Sequence, residues 1–172
     1  MLVSRLIAQF LRDQGISHVF CVSGGASLHI IHGIADTEGI TYVCPQTEQA
    51  AGFAADAYAR LKGLGCALAT SGPGATNLIT AIAASYYDSV PVIYLAGQVA
   101  TFRRATGLGV RQVGFQETPI CSMVANITKF AAEPAQAKDV MPCLMAAVKI
   151  AKQDRPGPVL VSIADDLQRA EL

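Results

Sequence analysis

A single carboxylate in a stretch of small and apolar residues is the first candidate for chemistry in this sequence. Glu48 follows Thr47, and after Gln49 the residues 50–55 are all alanine, glycine or phenylalanine, up to Asp56. Threonine caps helices, so Glu48 is predicted to lie in the first turn of a helix. It could act there as an acid or base, or only interact with the helix dipole, an effect worth about 0.3 to 1 kcal/mol. Asp56 and Arg60 are four residues apart and are predicted to pair on the outer face of the helix.

Two glycine-rich segments are candidates for ligand binding. The segment Gly72–Asn77 reads G-P-G-A-T-N and follows an apolar run. A helix that begins there could bind a phosphate, but the segment lacks both the G-x-G-x-x-G spacing and the Gly-Lys-Ser/Thr of a P-loop. A tight turn that brings backbone close to a planar or polar group fits the residues equally well. The pair Gly24 and Gly25 is no more specific by itself.

Histidines and arginines give weaker signals. His29 and His32 lie one helical turn apart, but no third ligand accompanies them, so they are predicted to be structural and no metal site is predicted. Arg103, Arg104 and Arg111 lie in a glycine-rich stretch and could meet a substrate carboxylate or phosphate. Solvated arginines on an exposed loop are the simpler interpretation.

The cysteines indicate the compartment. They are odd in number, widely spaced and without a C-x-x-C pair, which favours mostly buried, reduced thiols over a disulfide framework or a metal site. The charged, amphipathic N-terminal segment is neither a signal peptide nor a membrane span. We therefore expect a cytoplasmic protein. The cysteines are Cys21, Cys44, Cys66, Cys121 and Cys143.

The composition is that of one domain with a surface short of charge. The 172 residues fit a single domain, residues 1–172. Charged residues make up 15% of the chain, against about 25% in typical soluble domains. We therefore expect a partner to cover part of the surface. The formal net charge of zero gives no sign of binding to nucleic acid or to a membrane.

Apolar runs alternate with helical patterns about six times, with short connections. This alternation predicts an α/β fold: a three-layer doubly wound sheet of about six mainly parallel strands with helices on both faces. Residues 97–114 show no sustained period and are predicted to form a long loop, followed by a short helix that begins near Gln116. Ligands bind beyond the carboxyl ends of the strands in such sheets, and both glycine-rich segments fall at these ends. The predicted strands are 18–22, 40–43, 66–71, 91–96, 127–132 and 158–163, and the other predicted helices are one that ends at Gly15, then 27–35, 48–61, 75–87 and 134–152.

Several motifs together resemble one known family. They are S-G-G-A, T-E-Q-A-A-G-F-A-A-D-A-Y-A-R, T-S-G-P-G-A-T-N, G-F-Q-E-T-P-I and R-P-G-P-V. In this order they resemble the N-terminal pyrimidine-binding domain of thiamine-diphosphate enzymes, and most closely the acetolactate synthase group. The likeness covers nearly the whole chain.

The resemblance assigns roles to five residues. Glu48 matches the catalytic glutamate that hydrogen-bonds a ring nitrogen of the cofactor's aminopyrimidine and shares a proton with it. Gln116 matches an active-site glutamine. Pro73 and Asn77 match positions that line the pyrimidine. Gly25 matches a glycine that lets the backbone approach the reacting carbon.

The resemblance also implies a type of reaction and the need for a second domain to carry it out. Enzymes of this group decarboxylate a 2-oxo acid and transfer the resulting acyl-anion equivalent, as lyases or transferases. They bind the diphosphate and Mg²⁺ through a separate domain with a G-D-G motif, which is absent here. The isolated chain is therefore expected to be inactive, to need a diphosphate-binding domain from the same or a partner chain, and to form a homodimer or larger assembly. We expect an excised domain rather than a free-standing subunit; use of FAD in the full enzyme stays open.

Two departures leave the substrates undefined. Thr47 stands where acetolactate synthases usually carry histidine, and the loop before Gln116 is several residues longer than theirs. Two other functions stay possible on the sequence alone: a nucleotide- or flavin-binding domain, and a non-catalytic pairing module.

Overall fold

A computed structural model covers residues 1–172 and contains one six-stranded parallel sheet. The strand order is β2-β1-β3-β4-β6-β5. The chain leaves β1 towards one edge and β3 towards the other, so the topology switches between these two neighbours. This confirms the predicted doubly wound α/β class. The strands are β1 (His18–Cys21), β2 (Thr41–Val43), β3 (Gly65–Ala69), β4 (Val92–Gln98), β5 (Phe130–Ala132) and β6 (Val159–Ala164).

Helices cover both faces of the sheet. They are α1 (Val3–Asp13), α2 (Leu28–Ala35), α3 (Glu48–Lys62), α4 (Pro73–Asn77), α5 (Ile79–Tyr87), α6 (Ile120–Met123), α7 (Ala137–Lys152) and α8 (Asp165–Gln168). Helices α1, α2 and α7 pack on one face over a core of 25 buried residues. Helices α3, α4 and α5 pack on the other face over a smaller core of 15. No helix here combines the length and the hydropathy that crossing a bilayer requires.

The central strands are apolar because both of their faces are covered. Every residue of β3, β4 and β6 is buried, as the uninterrupted apolar runs predict. Strand β2 is different, since all three of its residues are exposed at the edge of the sheet. The carboxyl ends of the parallel strands meet at one rim, so the segments that follow β1, β2, β3 and β4 lie near one another.

Three predicted helices have different boundaries in the structure. The predicted helix 75–87 is divided at Leu78 into α4 and α5. The helix expected near Gln116 begins only at Ile120, because Gln116 has φ +63°, a left-handed conformation that a helix cannot include. The predicted helix 134–152 begins at Ala137.

Asp56 pairs with Arg60 as predicted, but its predicted outer location is wrong. Asp56 is only 7% exposed, and its Oδ1 accepts a 2.7 Å hydrogen bond from Arg60 Nε. Its Oδ2 accepts a 2.7 Å bond from Ser85 Oγ, which also lies 2.9 Å from Tyr94 Oη. Burial raises the pKa of Tyr94, so this phenol stays protonated at neutral pH. The network Asp56–Ser85–Tyr94 ties α3 to α5 and β4.

The cysteines carry no disulfide. Cys21 and Cys66 are buried, as expected from their apolar surroundings, and Cys121 and Cys143 are partly buried. Cys44 departs from the expectation because it is exposed.

Candidate active site at the carboxyl edge of the sheet

Glu48 lies at the rim, in the first turn of α3. Thr47 caps this helix, with its hydroxyl oxygen accepting a 3.2 Å hydrogen bond from the backbone N–H of Ala50. The Glu48 side chain is half-buried, and its Oε2 accepts a 2.9 Å bond from Asn77 Nδ2. The two residues are 29 positions apart in sequence. The fold therefore places the Glu48 carboxylate beside the end of α4, where Oε2 accepts the bond from Asn77. The side chain remains partly exposed to solvent.

The turn between β3 and α4 contacts both predicted catalytic residues. Gly72 has φ +59° and ψ −121°, which L side chains rarely adopt, and a Cβ there would lie 2.7 Å from Cβ of Gln116. A Cβ on Gly74 would lie 3.4 Å from Oε1 of Glu48. Pro73, between them, is exposed and begins α4. Glycine at positions 72 and 74 therefore lets Gln116 and Glu48 lie close to the backbone of this turn.

Thr70 connects the two glycine-rich segments, a role that the sequence analysis missed. It follows β3 directly, and its Oγ1 accepts a 3.2 Å bond from the backbone N–H of Ala26. A Cβ on Gly24 would lie 2.5 Å from Cβ of Thr70, and one on Gly74 would lie 2.8 Å from its Cγ2. The available signal was its position as the first polar residue after a buried strand, immediately before the turn.

A cleft of about 360 Å³, here called the Gln116 cleft, opens on one side of this turn. It includes two of the five predicted site residues, Gly25 and Gln116. A Cβ on Gly25 would meet no atom within 4 Å, so the backbone is open to the cleft there. Glu48, Pro73 and Asn77 are not among the residues that line this cleft. The lining residues include Gly25, Thr70, Arg103, Phe115, Gln116 and Arg169.

Gln168 holds the segment that carries Gly25. Its side chain is completely buried, and its Nε2 donates to the backbone carbonyls of Ala26 at 2.6 Å and Ile163 at 2.8 Å. Gly97 makes room for the same carbonyl, because a Cβ there would lie 2.1 Å from the oxygen of Ala26. Sequence reasoning did not find Gln168, since nothing local marks a contact over 142 residues.

The side chains of Gln98 and Glu117 hold the long loop that follows β4 and leads to Gln116. The buried Gln98 side chain accepts a 2.9 Å bond from Val99 N and donates a 2.8 Å bond to the carbonyl of Thr118, so the two ends of the loop lie together. The Glu117 carboxylate accepts bonds from the backbone N–H of Ala105 at 2.7 Å and of Val113 at 2.9 Å. Desolvation by itself would raise the pKa of Glu117, but these backbone bonds lower it below the ordinary value. Glu117 therefore stays ionised and holds the loop.

The structure separates the three loop arginines. Arg104 pairs with Glu133. Arg111 borders a different cleft, beside Glu117 and Thr118. Of these three arginines, Arg103 alone lines the Gln116 cleft, and it forms no salt bridge.

The two histidines are also apart. His29 Nε2 lies 3.2 Å from Asp165, and His32 Nε2 lies 3.4 Å from Asp36. No group of three or more His, Cys, Asp or Glu side chains is placed to hold a metal ion.

The rim residues fit the ring end of a thiamine cofactor. A carboxylate oriented by an amide can exchange a proton with a heteroaromatic nitrogen, and the open backbone at Gly25 leaves space that a Cβ would fill. The carboxylate lies beside the glycine turn that follows β3, one of the two strands at the switch point, and this is where open α/β sheets bind their ligands.

The comparison with known proteins specifies the class. Residues 1–123 match the family described as thiamine pyrophosphate enzyme, N-terminal TPP binding domain, and the chain belongs to this family. This supports the thiamine-enzyme prediction over the nucleotide-binding and pairing alternatives.

Individual relatives are acetolactate synthases. The chain is 40% identical over 164 residues to the acetolactate synthase large subunit of Haemophilus influenzae, with 95% of this chain and 28% of the relative covered. It is 38% identical over 167 residues to acetolactate synthase 2, chloroplastic, of Nicotiana tabacum, with 96% and 24% covered. It is 39% identical over 165 residues to the chloroplastic enzyme of Arabidopsis thaliana, with 95% and 24% covered. The chain thus spans about a quarter of the length of these relatives.

Proposed function

We propose that this chain forms the pyrimidine-binding half of a thiamine-diphosphate active site that acts on 2-oxo acids. The observation that carries the proposal is the Glu48–Asn77 hydrogen bond of 2.9 Å beside Gly74. It leaves the second carboxylate oxygen of Glu48 free for a ring nitrogen. Membership of the TPP-binding family supports the same cofactor.

When bound, thiamine diphosphate would supply a carbon nucleophile and an electron sink for decarboxylation. The residues of this chain then have separate tasks. Glu48 holds and exchanges a proton at a pyrimidine nitrogen, and Asn77 orients its carboxylate. Pro73, exposed at the start of α4, would line the pyrimidine ring. Gly25 and Gln116 border the space in which the substrate reacts.

Arg103 is the proposed anchor for the substrate carboxylate. It lines the Gln116 cleft without an acidic partner, whereas the other basic residue of that cleft, Arg169, lies 3.5 Å from Asp165. A guanidinium with free donors suits a carboxylate. The substrate that donates the acyl group is therefore proposed to be a 2-oxo acid. Transfer of this acyl-anion equivalent to a second carbonyl compound, as in an acetolactate synthase, is proposed from the names of the relatives.

The remaining proposals concern parts beyond this chain. A diphosphate-binding domain, in the same or a partner chain, would hold the diphosphate through Mg²⁺ and complete the site. Exposed apolar side chains such as Phe53, 46% exposed, and Tyr87, 70% exposed, support burial against another domain or a second copy in a homodimer or larger assembly. The five free cysteines support a cytoplasmic location for the protein.

Replacing the carboxylate tests the proposal. Glu48→Gln keeps the shape and the position of the side chain but cannot exchange a proton, so kcat is expected to fall by about 10²- to 10⁴-fold in the catalytically active protein. Glu38→Gln, an exposed site, is the matched control and should leave kcat unchanged. Thermal unfolding should be nearly the same for both variants. Turnover of Glu48→Gln within a few-fold of the unchanged protein would contradict the assigned role.

A further inference from the structure

Two cysteines from neighbouring strands lie side by side at the rim. Strand β1 ends at Cys21, and Cys44 follows the last residue of β2. The strands pair in parallel with Phe20 opposite Val43, so the next step of the register brings Cys21 opposite Cys44. Their Sγ atoms are 4.0 Å apart. Two independent observations, the strand register and the sulfur positions, therefore bring these thiols together.

The geometry allows a covalent bond between them. Neighbouring strands are spaced about 4.7 to 4.9 Å apart, which lies within the range of about 4.4 to 6.8 Å between Cα atoms that a disulfide requires. The sulfurs would have to approach one another by roughly 2 Å to reach bonding distance. The exposed connection after Cys44 can provide this movement, because neither Pro45 nor Gln46 makes a hydrogen bond.

The two thiols differ in a way that assigns their roles. Cys44 is exposed and can meet an oxidant, whereas Cys21 is fully buried. Burial, together with the neighbouring Cys44, raises the pKa of Cys21 to about 12. A thiol that stays protonated reacts slowly with an oxidant in solution, but it can attack an activated sulfur beside it.

We propose that Cys21 and Cys44 form a site of reversible thiol oxidation, with a peroxide as the oxidant. The Cys44 thiolate attacks hydrogen peroxide, an S–O bond forms, the O–O bond breaks and hydroxide leaves, which gives a sulfenic acid. The Cys21 sulfur then attacks the Cys44 sulfur; an S–S bond forms, the S–O bond breaks, and the Cys21 proton leaves with the hydroxide as water. In total two thiols and one peroxide give one disulfide and two waters. A dithiol reverses the reaction.

A Cys21–Cys44 disulfide would restrain the start of the segment that connects β2 to α3. Only Pro45, Gln46 and Thr47 separate Cys44 from Glu48. A covalent link to β1 would restrain the segment that precedes the carboxylate. The formation of the link does not depend on the proposed enzyme activity, so the two proposals fail separately.

Peptide mapping of the full chain tests the site. After treatment with about one equivalent of hydrogen peroxide, digestion without reductant should give a linked Cys21–Cys44 peptide. Titration of the denatured protein should show a loss of two of the five free thiols, which dithiothreitol restores. Cys44→Ser and Cys21→Ser should each abolish the linked peptide, and Cys143→Ser should not. In Cys21→Ser, the oxidation product at Cys44 should be trapped by a sulfenic-acid probe.

Other products would overturn the proposal. A Cys44 that forms only sulfinic acid, or only links between two chains, would show that Cys21 does not reach it. A Cys21–Cys66 peptide would show that the buried pair reacts instead.

Discussion

Adding one methyl group at Gly25 should separate function from stability. A Cβ at this position meets no atom within 4 Å, and the residue has no left-handed φ. Gly25→Ala should therefore fold normally and gain about 0.4 to 1 kcal/mol, because alanine loses less chain entropy on folding. In a chain of this length that gain corresponds to a rise in Tm of roughly 1 to 4 °C.

The same methyl group projects into space proposed to hold ligand. Gly25 lines the Gln116 cleft. A mismatch of about one methyl group changes binding in an apolar pocket by about 1 to 3 kcal/mol, or roughly 10- to 200-fold. We expect kcat/KM of the active protein to fall by that factor, as measured by steady-state kinetics with thiamine diphosphate and 2-oxo acid varied separately.

Gly24→Ala is the matched comparison. A Cβ at Gly24 would lie 2.5 Å from Cβ of Thr70, so this neighbouring change should overpack the rim and lower stability by about 1 to 3 kcal/mol. Equal destabilisation of the two variants, or a Gly25→Ala protein with unchanged kinetics, would refute the reasoning.

Two further predictions concern the network and the loop. Ser85→Ala should lower the free energy of unfolding, measured by urea denaturation, by about 2 to 4 kcal/mol, because the buried polar groups of Asp56 and Tyr94 both lose a hydrogen-bond partner. The control Ser122→Ala replaces an exposed serine and should change this free energy by less than about 0.5 kcal/mol. Arg103→Gln should raise KM for the 2-oxo acid about 10-fold or more with a smaller change in kcat, as expected for loss of a charged hydrogen bond worth about 1.5 to 3 kcal/mol. Arg111→Gln should leave KM unchanged, and an equal rise in both variants would count against the anchor.

The fold was predictable because its signals are local. Apolar runs bounded by glycine and proline mark the strands, and Thr47 with Glu48 marks the start of α3 as the structure shows. The interruption at Leu78 was not predictable, since nothing in the sequence of α4 and α5 distinguishes two short helices from one continuous helix. The left-handed conformation of Gln116 was also missed, because no residue pattern marks it and its contact with Gly72 joins segments that are distant in sequence.

The site was predictable only where a residue type is informative by itself. Glu48 is conspicuous as an isolated acid, and Asn77 follows a glycine turn. Thr70, Gln98 and Gln168 act through contacts with backbone that is distant in sequence, and no spacing rule predicts such contacts. The pairing of Cys21 with Cys44 required the strand register, which periodicity does not fix.

The position of Glu48 depends on a buried polar contact of α3, the hydrogen bond between Asp56 and Ser85, because the helix buries few large apolar side chains. Its buried residues are Ala51, Gly52, Ala55, Asp56 and Ala59. Small side chains let the helix approach its neighbours closely, and a Cβ on Gly52 would lie 2.4 Å from Cβ of Ala81. They also bury little surface, so apolar burial resists sliding of the helix only weakly.

The Asp56–Ser85–Tyr94 network supplies the directional contact that alanines lack. Asp56 lies about two turns after Glu48 on the same helix. A shift of α3 along its axis would break the 2.7 Å bond to Ser85 at one end and the 2.9 Å bond from Asn77 to Glu48 at the other. The buried network and the rim carboxylate are therefore coupled through one rigid element. For this reason, Ser85→Ala should impair turnover as well as stability, even though Ser85 lies outside the Gln116 cleft.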